Sequence, residues 1–314
     1  MGGRRGGEMN EWQKTRKRSG WKHHGLVEWT EGRTAFLSVV FSWNLQEAYQ
    51  RACFWRAMGY RVMAGGPAVA FNPVFLSDVA LIPQHYPIIA LPYHNLNATR
   101  TTIGCPRKCP FCIVPVTEGE FREIQHWTPR PIICDNNFLA ASRRHFDRTV
   151  DRLKPSTGVD FNQGLDARLL TAYHAQRLAE LDLRCVRLAW DHISMESAFM
   201  TAFERLIMAG IPSSMIRAYV LIGFKDDPAD ALYRLETIRR LGAWPNPMRY
   251  QPLDAKERNS YVGPNWTDAE LKRFMRYWAN LRFTGAIPFD EFCHRGNEPP
   301  LFVPQPQQAR MEGI

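Results

Sequence analysis

No apolar run in this chain approaches the ~18 residues that a membrane-spanning helix needs, and no apolar h-region follows the basic start. Neither a bilayer-spanning helix nor a secretory signal is expected, no membrane partner is called for, and the expected location is cytoplasmic. Cysteine is scarce as well: there are seven in 314 residues, an odd number, and three of them are crowded together. That usage argues against a disulfide framework and for a reducing compartment. There is no second CxxC and no HxxxH, so the paired ligand spacings of structural zinc are missing. Acidic residues are fewer than basic ones, 31 against 40, for a formal charge of +9. Residues 1–24 hold seven basic side chains against two acidic, a balance of +5 and more than half of the excess. Such an arm suits nucleic-acid phosphates, and it suits equally well a solvated polar terminus with no partner.

What the chain does have is one dense stretch, Gly104-Cys105-Pro106-Arg107-Lys108-Cys109-Pro110-Phe111-Cys112-Ile113. Three thiolates separated by three and then two residues can wrap one face of a cubic iron–sulfur cluster, because a short loop punctuated by proline lets the sulfurs face a common centre. A cubane holds four irons, so one keeps an open position that can chelate a small molecule and pass it an electron. The competing reading is a zinc knuckle, for which His126 and Cys134 are the nearby fourth ligands. Cys53, Cys185 and Cys293 read as packed thiols, and Cys293-His294 is too isolated for a second cluster.

The apolar pattern on either side is α/β. Ala35 to Trp43 reads as a buried strand, Leu45 to Met58 as a helix, and Tyr60 to Ala64 as a second strand running into Gly65-Gly66-Pro67. Beyond the cysteines, strand-like segments recur every 20 to 30 residues with helices between them. They are Ala98–Gly104, Pro131–Cys134, Val159–Asn162, Cys185–Trp190, Ile216–Gly223 and Met248–Leu253. Asp227-Pro228 opens one helix, and Thr267-Asp268-Ala269-Glu270 is a capping box for the last. Six parallel strands call for a sheet curved into an open barrel, since eight would close it. The divisions expected are a basic arm (1–33), a small α/β domain (34–96), the barrel (97–285) and a proline-rich tail (286–314).

Asn97 to Pro115, with CxxxCxΦC filled by Cys105, Cys109, Phe111 and Cys112, resembles the signature of the radical S-adenosylmethionine (SAM) superfamily. The resemblance covers residues 35 to about 255. It implies an α/β fold, an open partial (β/α)6 TIM-type barrel, in which the three cysteines hold a [4Fe–4S] cluster. Its open iron binds the amino and carboxylate groups of SAM, and reduction by a flavodoxin- or ferredoxin-like donor releases a 5′-deoxyadenosyl radical that abstracts hydrogen from a substrate. The order strand, helix, strand, Gly-Gly-Pro is similar to the Rossmann-like cobalamin-binding domain of one branch, but its DxHxxG motif is absent. That departure favours a shared fold over bound cobalamin.

The same resemblance assigns residues just after each strand to SAM. Phe111 and Val114 would flank the adenine. Asp135, Asn136 and Asn137 stand where the family has GGE for the amino group, and they depart from it; Asn137 reads equally well as a helix cap. Gln163 follows the third strand, and Arg168 in LDARLL is the counterpart of a carboxylate-binding arginine, with a surface guanidinium as the plainer reading. Asp191 takes the place of a ribose- or amino-binding acid, and Gly223 that of a glycine lying against adenine. His192 is assigned no role. No residue is assigned to the substrate. The CIVP run is similar to tRNA methylthiotransferases, which leaves open a nucleic-acid-modifying radical enzyme anchored by the basic arm, beside a non-catalytic zinc-bearing nucleic-acid-binding module.

Overall fold

The computed structural model describes residues 21, 25–83, 90–281 and 285–294. Most of the basic arm and the proline-rich stretch of the tail lie outside the described residues. The chain divides into two compact units. The first is residues 1–165, 176–185 and 251–260, and the second is 166–175, 186–250 and 261–314.

In the first unit the sheet starts earlier than the sequence pattern predicts. Strand β1 (Leu26–Glu31) lies within the stretch assigned to the arm and pairs antiparallel with β2 (Thr34–Val39) across a two-residue turn at Gly32-Arg33. Gly32 takes a φ of +56°, a left-handed conformation that glycine adopts without a Cβ penalty. The helix Leu45–Ala57 then carries the chain to β3 (Arg61–Gly65), which runs parallel to β2. Leu45, Ala48 and Ala52 recur at helical spacing and bury against Leu37, Val39, Val62 and Ala64, so apolar burial holds this small α/β layer together. Leu81 extends the layer by a parallel bridge to Met63.

The expected strand Ala98–Gly104 is split. Its first part, β4 (Ala98–Thr99), joins a parallel sheet, while β5 (Thr102–Ile103) turns away to pair antiparallel with β6 (Arg122–Glu123). Next come β7 (Ile132–Ile133), β8 (Val159–Phe161), β9 (Leu183–Ala189), β10 (Ile216–Ile222) and β11 (Trp244–Arg249). The sheet order is β4-β7-β8-β9-β10-β11, six strands in chain order and all parallel. Pro245 and Pro247 are compatible with β11 because it ends the sheet and has an unpaired side. The helices between the strands are Arg143–Leu153, Ala172–Leu178, Glu196–Met208 and Pro228–Arg240. Phe138, Phe146 and Phe161 stack in the first unit, with centroids 5.1 and 5.0 Å apart. Trp190 on Phe199 at 4.7 Å does the same in the second. No helix among the described residues is long and apolar enough to cross a membrane.

Candidate functional site

The cysteine loop in the first unit is closed at its base by the β5–β6 ribbon, with Thr102 opposite Glu123 and Ile103 opposite Arg122. Gly104 opens it at a φ of +77°, and a Cβ there would stand 2.6 Å from the Glu120 carbonyl oxygen. Glycine is therefore required where the chain enters the loop. Glu118, just past the short helix Val114–Thr117, straps both ends together. Its carboxylate accepts from Gly104 N at 2.8 Å and Asn136 Nδ2 at 2.7 Å, and pairs with Arg100 at 2.5 Å. The sequence reading passed over Glu118, because its role depends on three partners distant in sequence.

Cys105, Cys109 and Cys112 are all half-buried, and none is in a disulfide. Cys112 N donates to the Cys109 carbonyl at 3.0 Å. The Cys105 sulfur accepts from Arg107 N and from Asn137 Nδ2, both at 3.4 Å. Among the described residues no three His, Cys, Asp or Glu side chains are gathered closely enough to hold a metal ion. The donor set nevertheless suits an iron–sulfur cluster in kind, since three thiols share one loop and N–H groups already face one sulfur. Of the two nearby candidates for a fourth zinc ligand, His126 is exposed, and burial pushes the Cys134 thiol up to about 12. Phe111 is half-buried, and Val114 is buried in the core.

The three residues following Cys134 have definite partners. Asp135 is buried, and its Oδ1 accepts from Thr101 N at 2.6 Å and Thr102 N at 3.0 Å, while its Oδ2 accepts from Thr101 Oγ1 at 2.5 Å. Burial raises its pKa and these bonds oppose the rise. The clamp on Thr101 and Thr102 sits where the expected strand breaks. Asn136 is tied to Glu118. Asn137 precedes the turn Phe138–Ala140 without capping it by its side chain, which donates to Cys105 instead. Gln163 is exposed beyond β8.

The second unit carries the remaining residues singled out. Arg168 forks onto Asp166, Nε to Oδ1 at 2.7 Å and Nη2 to Oδ2 at 3.1 Å. Asp191 follows Trp190 at the end of β9, and burial raises its carboxyl to about 6 against the opposing charges of Arg234 and Arg168. His192 accepts from Ser194 N at 3.2 Å, a local turn bond. Gly223 ends β10 at a φ of +81°, and a Cβ there would meet the Leu271 side chain at 2.9 Å. The Gly223 and Phe224 N–H groups donate to Asp226 Oδ1 at 2.9 and 3.2 Å, so glycine is demanded by the turn itself. Arg234 Nη2 donates to Asp226 Oδ2 at 2.7 Å, and Trp266 Nε1 to Oδ1 at 3.1 Å. The sequence reading gave Asp226, Arg234 and Trp266 no role, since the bond that joins Trp266 to Asp226 spans 40 positions. In comparisons with known proteins, no family model matches the chain, and no curated protein matches it.

Proposed function

We propose that the chain is a radical SAM enzyme in which Cys105, Cys109 and Cys112 hold a [4Fe–4S] cluster. The observation that carries this reading is three thiols outside any disulfide, spaced by three and two residues on one loop that a ribbon and the Glu118 carboxylate close. The strand order supports the matching fold, an open partial (β/α)6 barrel. Six parallel strands follow one another without the reversal of order that a doubly wound sheet shows. The parallel pair β2–β3 joined by the helix Leu45–Ala57 supports a small Rossmann-like layer before it.

When bound, such a cluster supplies the electron that cleaves SAM to methionine and a 5′-deoxyadenosyl radical. The chain's own residues do the holding. Glu118 and Asp135 fix the chain entering the loop, Glu118 through Gly104 and Asp135 through Thr101 and Thr102. Phe111 offers a half-buried ring beside the third thiol.

The test is anaerobic reconstitution with ferrous iron and sulfide, followed by SAM and dithionite. About four irons and four sulfides per chain, with 5′-deoxyadenosine as product, are expected. Cys105→Ala, Cys109→Ala and Cys112→Ala should each abolish both. Purified protein that holds zinc and takes up no sulfide would overturn the proposal in favour of the zinc-module reading.

A further inference from the structure

We infer that Asn137 is a positioning residue for the cluster: its side-chain amide donates to the Cys105 sulfur and raises the reduction potential of the centre that Cys105 ligates. The inference rests on the [4Fe–4S] reading of the loop.

The amide is aimed by its neighbours. Asp135 is clamped to Thr101 and Thr102, and Asn136 to Glu118, so the backbone entering Asn137 is held at two successive side chains. Asn137 itself is 3% exposed. Its side chain makes no cap bond to the turn Phe138–Ala140, and its Nδ2 stands 3.4 Å from Cys105 Sγ. Arg107 N approaches the same sulfur at 3.4 Å, so two N–H dipoles face a single ligand atom. Adding an electron to a cluster places part of the new negative charge on its ligand sulfurs. A donor fixed on such a sulfur therefore binds the reduced form more strongly than the oxidised one. A net hydrogen-bond contribution of about 1 kcal/mol corresponds to roughly fivefold in the ratio of reduced to oxidised cluster.

The experiment compares wild type, Asn137→Ala and Asn137→Asp, each reconstituted anaerobically, assayed for iron and sulfide, and titrated potentiometrically by visible absorbance. The expected result is equal iron per chain and a midpoint displaced to more negative potential. At the wild-type midpoint the reduced fraction relative to oxidised should fall roughly fivefold in Asn137→Ala. In Asn137→Asp it should fall further, because that variant replaces the donor by an anion. Unchanged midpoints in both variants would overturn the inference. So would a variant that is folded by circular dichroism yet takes no iron, since a tuning donor is not required for ligation. Should Asn137→Ala fail to fold, Asn137→Asp, nearly isosteric, decides alone. A wild-type chain that assembles no cluster would overturn the underlying reading and this inference with it, a result distinct from a cluster whose potential ignores Asn137.

Discussion

At the scale of single residues, Asp191 combines partial burial with charge. Burial lifts its carboxyl from an ordinary 3.8 to about 6, with Arg234 and Arg168 pulling the other way. A carboxyl whose pKa is higher in the folded state holds its proton more tightly there. Its contribution to stability is complete below the unfolded value and is lost as pH rises through the folded one. Wild type should therefore lose on the order of 2–3 kcal/mol between about pH 4 and pH 7 relative to Asp191→Asn, which cannot ionise. Urea unfolding of the two proteins across that range measures it, and parallel pH curves would refute it. Asp135 is buried, and the three donors on its oxygens anchor the chain entering the cysteine loop.

At the scale of elements, the ends of strands and helices are held by side chains that report different amounts of long-range order. The helix Asp268–Trp278 begins with a capping box, Thr267 Oγ1 accepting from Glu270 N at 3.2 Å and Glu270 Oε2 accepting from Thr267 N at 2.7 Å. Thr267→Ala should cost about 1 kcal/mol in chemical denaturation, and Thr267→Ser almost nothing. The turn after β10 is held from further away. Arg234 is fully buried and bonds Asp226, Asp230 at 3.0 Å, and the carbonyls of Trp190 and Leu221 at 2.9 and 3.1 Å. Arg234→Ala leaves Asp226 buried without its counter-charge, so a loss of about 3–5 kcal/mol is expected in the same assay. That loss should shrink at acid pH, where Asp226 takes a proton. A loss equal at pH 4 and pH 7 would mean that packing, not charge, dominates. The capping box was readable in four consecutive letters, whereas of the Arg234 network only the Asp230 pair is at local helical spacing and its other bonds reach up to 44 positions away.

At the scale of the whole molecule, the recurrence of apolar segments was enough to predict an α/β chain with six parallel strands, because a strand buried on both faces reads as an apolar run at any position. Segment ends were less legible. The last strand lies at Trp244–Arg249 instead of 248–253, since prolines that lower strand propensity are tolerated on a sheet edge. The hairpin strand Leu26–Glu31 was hidden in what read as the arm, with Trp29 between polar residues and a turn made by Gly32. By itself the sequence determined the kind and number of thiols and their spacing, since these are covalent facts of one short stretch. Only the tertiary structure decided which side chains hold that stretch. Glu118 ties Gly104 to Asn136, Asp135 breaks the incoming strand at Thr101, and Asn137 donates to Cys105 in place of capping a turn. Those bonds join positions 14 to 34 residues apart, and a hydrogen bond across such a separation exists only once packing has brought its donor and acceptor together.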